Sequence, residues 1–116
     1  MQNLNINLSG ELSYRLYIDL KLFKIAKARE TTNFSFNRKV STNFHETVLP
    51  LNDLMSIKLR FVGTAITASL YMFGQKINEF AYETKELVNE FTITIPDAKF
   101  NGTTLKKCKV KFTYVD

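Results

Sequence analysis

Leu12-Ser13-Tyr14-Arg15-Leu16-Tyr17-Ile18-Asp19-Leu20-Lys21-Leu22 is the stretch that decides the fold class. Every even position in it is apolar or aromatic, and the odd positions are Ser13, Arg15, Tyr17, Asp19 and Lys21. Side chains alternate across a strand with a period of two, so these residues form one apolar and one polar face only when extended. A helix would spread Tyr14, Ile18 and Leu22 away from Leu12, Leu16 and Leu20 and bury nothing coherently. Beyond Leu22 the parity flips, with Phe23 and Ile25 apolar around Lys24. In one continuous strand, such a flip predicts a bulge or a bend between two sheets.

The same period extends outward in both directions. Leu4, Ile6 and Leu8 alternate before Ser9-Gly10, which reads as a turn or kink. Downstream, strands are expected over Asn33–Val40, Asn43–Leu51, Met55–Val62, Ala65–Phe73, Lys76–Tyr82, Phe91–Ile95 and Leu105–Val115. Met55, Ile57, Leu59 and Phe61 face one way and Ser56, Lys58 and Arg60 the other, the pattern of a half-buried strand. In the last segment Cys108, Val110, Phe112 and Tyr114 point inward and Lys107, Lys109, Lys111 and Thr113 outward. Gly63-Thr64, Gly74-Gln75, Pro96-Asp97 and Asn101-Gly102 supply turn chemistry in the gaps. Glu83–Glu90 is the one candidate helix, one or two turns long, with Thr84 as its cap. About eight strands with at most one short helix predict an all-β antiparallel sandwich.

A chain of 116 residues, 45% hydrophobic and 23% charged, has the size and composition of one globular domain, taken as residues 1–116. These fractions exclude a wholly disordered, collagenous or coiled-coil chain. Cys108 is the only cysteine, which excludes an intrachain disulfide and a Cys-rich zinc site. No signal peptide is readable, and Ala65–Phe73 is far short of the ~20 residues that span a membrane. The expected setting is reducing and intracellular, in the cytoplasm, with no cofactor.

Net charge is +5, and its distribution says more than its total. Residues 21–39 hold Lys21, Lys24, Lys27, Arg29, Arg38 and Lys39 against Glu30. Residues 79–97 hold Glu79, Glu83, Glu86, Glu90 and Asp97 against Lys85. Lys106, Lys107, Lys109 and Lys111 cluster near the C-terminus. Lysines in alternation on a strand form a positive stripe, so Lys21, Lys24, Lys107, Lys109 and Lys111 are the candidate docking face. The plainer role of such lysines is to keep an edge strand from pairing with other sheets. Tyr17, outward beside Arg15, Asp19 and Lys21, is the candidate aromatic anchor. Glu79, Glu83, Glu86 and Glu90 form either a solvated face or the footprint of a basic partner. They lack the Asp-rich, Gly-containing loop of a calcium site.

Catalytic chemistry finds little support. His45 is the single histidine, beside Glu46 on an expected strand where adjacent side chains point apart. No strand-turn-helix elbow surrounds a serine, and Cys108 is expected to be a buried hydrophobe.

Leu12–Ala28 resembles the long opening strand of C2 domains. Ser41-Thr42-Asn43-Phe44-His45-Glu46-Thr47-Val48-Leu49-Pro50-Leu51 is similar to the segment where that family carries Asn-Pro-aromatic-Asn-Glu-Thr before a strand, with Thr42-Asn43 standing where the family has Asn-Pro. Ser56–Val62, Phe73–Asn78 and Lys109–Tyr114 fall where later strands of the family would. The resemblance implies a C2-like sandwich. Its calcium-binding loops would match Arg29–Thr32 and Val62–Ala65, which hold no aspartate, so it implies a calcium-independent member. Such members serve mainly as protein-interaction or scaffold modules, and some bind anionic lipid through a basic face.

The expectation is therefore a non-catalytic interaction or scaffolding module with a protein partner. The alternatives are calcium-independent binding of anionic phospholipid through a basic face, and an OB-like barrel that binds single-stranded nucleic acid. The nucleic-acid reading is the weaker, because Phe112 and Tyr114 lie opposite the lysines rather than among them. Exposed edge strands also leave room for homo-oligomers.

Overall fold

The computed structural model describes residues 3–20, 24–43, 45–84 and 89–115, with the backbone alone for residues 15–20 and 24–29. Nine strands build it: β1 (Asn3–Leu20), β2 (Lys24–Ser41), β3 (Glu46–Pro50), β4 (Met55–Val62), β5 (Ala65–Met72), β6 (Gln75–Glu83), β7 (Glu90–Ile95), β8 (Ala98–Phe100) and β9 (Thr103–Val115). They form two antiparallel sheets, one ordered β2-β1-β9-β7 with β8 also on β9, the other a meander β3-β4-β5-β6. The all-β sandwich expected from the alternation is the fold observed, and no helix occurs among the described residues.

One apolar cluster joins the sheets. Leu4, Ile6, Leu8, Val110 and Phe112 from one side meet Ile57, Leu59, Ile66, Leu70 and Met72 from the other, all essentially inaccessible to water. Phe112 of β9 stacks on Phe91 of β7 at 4.6 Å and takes Phe61 of β4 edge-on at 5.6 Å, a contact that crosses between the sheets. Such geometries add to the burial of the rings themselves. Both passages of the chain between sheets are stitched. At the β2/β3 edge Arg38 donates to Thr47 Oγ1 (3.0 Å) and to the Val48 carbonyl (2.5 Å) while lying 5.0 Å over the Phe36 ring. At the β6/β7 edge Tyr82 Oη donates to the Thr94 carbonyl at 2.7 Å.

Several sequence expectations are corrected. Leu12–Ala28 is not one strand, because the chain reverses and Leu20 pairs with Lys24. The parity flip near Leu22 marks this reversal rather than a bulge, and residues 21–23 lie outside the described residues. Arg29–Thr32 is accordingly the middle of β2 and not a loop. Ser9-Gly10 does not turn. It lies inside β1, opposite a bulge in β9 where Ser9 pairs with Lys109 but Glu11 with Lys106, so Gly10 alone faces Lys107 and Cys108. Lys107 takes φ 54° there. Asn33–Val40 is part of β2, Asn43–Leu51 shortens to Glu46–Pro50, and β8 was not foreseen. In the segment expected to be helical, Glu83 closes β6 and Glu90 opens β7. Residues 85–88 between them lie outside the described residues.

The molecule measures 62 × 23 × 19 Å with a radius of gyration of 17.0 Å, against roughly 13 Å for a compact chain of this length. Its length comes from the β1–β2 hairpin. Pairing of β1 with β9 ends at Ser13↔Thr104, whereas pairing with β2 continues from Tyr14↔Glu30 to Leu20↔Lys24. That two-stranded arm extends about 20 Å at the usual rise per residue.

Candidate functional site

The outer face of the β2-β1-β9-β7 sheet is where the sequence-predicted lysines meet. On β9, Lys109 and Lys111 alternate with buried Val110 and are exposed. The bulge takes Lys107 out of that alternation, and Lys106 fills the outward position opposite Glu11. Register then sets neighbours across the sheet. Lys111 lies beside Asn7 and Thr92, Asn7 beside Asn37, Thr113 beside Asn5, and Asn5 beside Lys39. Lys99, next to buried Ala98 on β8, pairs with Thr104.

Among the described residues, six lysines therefore share this face (Lys39, Lys99, Lys106, Lys107, Lys109, Lys111) with two glutamates, Glu11 and Glu90. The glutamates are engaged, Glu11 with Lys107 at 3.6 Å and Glu90 with Lys111 at 3.1 Å. Among the described residues, Lys39, Lys99, Lys106 and Lys109 have no carboxylate partner within 4.0 Å. The lysines are set among short polar side chains, and Asn5, Asn7, Asn37, Lys39, Lys111 and Thr113 line a trough of ≈ 480 Å³. No aromatic side chain lies on this face among the described residues.

The opposite sheet shows a different balance. Its outer face has a hollow of ≈ 190 Å³ lined by Lys58, Arg60, Thr67, Ser69, Tyr71, Lys76 and Glu79. Glu46 receives both Lys58 (3.2 Å) and Arg60 (3.4 Å), and Lys76 is paired with Glu79. These contacts hold the Glu46 carboxyl below its ordinary range, chiefly through the Lys58 hydrogen bond, and Glu79 likewise through Lys76. Local pairing satisfies the charges on this side, so little of their field is left for a partner.

The remaining candidates are dispersed. Glu79 and Glu83 lie on the outer side of the meander sheet while Glu90 lies on the lysine face, so these glutamates do not form one acidic surface. Glu86 and Lys21 lie outside the described residues. Lys24 pairs with Leu20 and Tyr17 with Lys27 along the arm, their side chains being outside what is described. Among the described residues, no group of three or more His, Cys, Asp or Glu converges as a metal-binding set. No helix there is long and apolar enough to cross a membrane.

His45 is exposed just before β3, and its backbone carbonyl accepts from the Phe61 N–H at 2.8 Å. Cys108 is fully buried, and loss of water pushes its thiol pKa up to about 12. A thiol so placed is not a nucleophile at neutral pH.

Lys39, Lys99 and Lys106 were missed as members of the face. The alternation of Lys39 on its own strand was readable, but joining it to Lys111 requires the register through β1. One apolar feature was missed too. Phe73, 39% exposed with φ 53°, meets Phe100 at 6.0 Å where two hairpin tips approach, and its N–H donates to the carbonyl of Leu54, itself 58% exposed.

No family model matches this chain, and neither a curated protein nor a solved structure does.

Proposed function

We propose that this protein is a non-catalytic interaction or scaffolding module whose docking surface is the outer face of the β2-β1-β9-β7 sheet. The observation that carries the reading is the six lysines to two glutamates on that one face, four of the lysines without a carboxylate partner among the described residues. An unneutralised field of one sign steers an acidic partner and rejects basic ones. The asparagines, serines and threonines between the lysines add directional hydrogen bonds, which a protein surface can match residue by residue. A buried thiol whose proton is held far above neutral pH supports the non-catalytic part. Kinship with calcium-independent C2 domains, and the intracellular setting expected with it, belong to the same proposal.

The second reading is binding of anionic phospholipid, and the same unpaired lysines favour it. Single-stranded nucleic acid is supported less, because the face offers no base-stacking ring among the described residues.

The test is the triple charge reversal Lys106→Glu, Lys109→Glu, Lys111→Glu, compared with wild type in capture from native lysate and in co-sedimentation with phosphatidylserine/phosphatidylcholine vesicles. Specific proteins retained by wild type and lost from the variant support protein docking. Vesicle binding that is lost in the variant and at high salt moves the reading to lipid. Retention of the same proteins by both forms sinks the lysine face altogether.

A further inference from the structure

The geometry points to β2 as an acceptor edge, to which an extended acidic segment of the partner protein adds as a further strand. This rests on the proposed function, because β2 borders the lysine face.

Among the described residues the edge strands of the two sheets are β2, β3, β6, β7 and the three-residue β8, and all but β2 are short, interrupted or bounded by proline. β3 is five residues long and ends in Pro50. β6 is broken by a register shift opposite Leu70/Tyr71. β7 is six residues long and is followed by Pro96. Short strands, prolines, bulges and charged side chains are the ordinary means of blunting an edge. β2 has the charges alone, and they leave its centre bare. It runs 18 residues, pairs with β1 from end to end without a shift, and has no strand on its other side among the described residues. Its centre, Thr31–Asn37, holds no charged residue, and Thr31, Thr32, Asn33, Ser35 and Asn37 are exposed. Strand addition to such an edge draws affinity from backbone hydrogen bonds and specificity from alternate side chains.

Charge selects the occupant. β2 carries Lys24, Lys27, Arg29, Arg38 and Lys39 against Glu30. A second copy pairing through its own β2 would bring two such strands together, and opposed like charges destabilise a sheet. An acidic strand meets Lys39 where the edge borders the lysine face, and the sequence puts Lys24, Lys27 and Arg29 toward the other end of β2. The arm supplies a further reason. From Tyr14↔Glu30 onward it is two-stranded, and an isolated two-stranded ribbon is marginal in water whereas three strands are not. A strand added along β2 supplies the third.

The experiment uses the whole chain and three fluorescent dodecapeptides: one alternating Glu with Val and Thr, its Lys-for-Glu counterpart, and the acidic peptide N-methylated at alternate residues. Binding is followed by anisotropy and the site by backbone amide exchange. The expected result is acidic-peptide binding about tenfold or more tighter than that of the lysine peptide, its loss on N-methylation, and slowed exchange within β2 (Lys24–Ser41). Equal binding of the two charge types, or binding indifferent to N-methylation, overturns the proposal. Slowed exchange confined to β9 and β7 also overturns it, yet leaves the lysine face standing. Slowed β2 exchange that rises with protein concentration in the absence of peptide assigns the edge to a second copy instead. Failure of the broader reading is separate, since it is marked by capture that ignores charge reversal at Lys106, Lys109 and Lys111.

Discussion

Gly10 sits where three chain segments meet, and its missing side chain is what lets them. A Cβ there would lie 2.6 Å from Phe34 Cζ and 3.1 Å from the Cα of Cys108. The ring can tilt away, but the backbone of the β9 bulge cannot do so cheaply. Gly10→Ala should cost about 1–3 kcal/mol, the usual range for overpacking. Chemical denaturation measures it, and adding Phe34→Leu should recover part of the loss, whereas strictly additive losses would argue against the contact. Cys108, on the other side of Gly10, gives a pH prediction. Its thiol loses a proton at about 8.5 in the unfolded chain and at about 12 in the folded one. Between those values the unfolded state binds fewer protons, so stability is full below pH ~8.5 and falls as pH rises toward 12. Urea midpoints from pH 7.5 to 10 should drop more steeply for wild type than for Cys108→Ala, and parallel slopes would contradict the assignment. The burial of Cys108 was legible, because alternation with Val110 and Phe112 sets its side. The role of Gly10 was not, since the atoms that crowd it come from β2 and from the β9 bulge, which only the register places beside it.

At the level of elements, legibility followed locality. β4, β5 and β9 were readable because each alternates over most of its length and is bounded by a Gly or Asn-Gly turn. The β1–β2 hairpin was not, because a strand that continues and a strand that folds back share the same alternation up to the reversal. The bulge at Lys107 does show in the sequence, where Leu105 and Cys108 are both apolar three residues apart and so break the period of two, but the expected Leu105–Val115 strand runs through it unbroken. What holds the two sheets edge to edge was unreadable, as Arg38 and Tyr82 find their carbonyl partners 10 and 12 residues away. Each clamp is testable. Tyr82→Phe should cost about 1 kcal/mol and Arg38→Ala about 1–3 kcal/mol, the larger because a charged donor and its ring contact both go. The two act on opposite edges, so the double variant should show the sum of the losses. Strong coupling between them in a denaturation cycle would mean that the sandwich is not clamped independently at its two sides.

For the whole molecule, composition pointed to a basic globular domain and the fold shows how that charge is shared out. Glu46 and Glu79 quench the cations of the meander sheet locally. The other sheet gathers six lysines against two glutamates, some from strands read as basic and some from positions that only register joins. The stripe of three lysines expected on one strand thus becomes a face that spans the whole sheet. Its use as a docking surface is most directly tested by lysine acetylation footprinting of the complex captured by wild-type protein. Lys39, Lys106, Lys109 and Lys111 should lose reactivity on binding while Lys58 and Lys76, on the opposite sheet, keep theirs. Uniform reactivity, or protection of Lys58 and Lys76 with the other four unchanged, would contradict the assignment of this face.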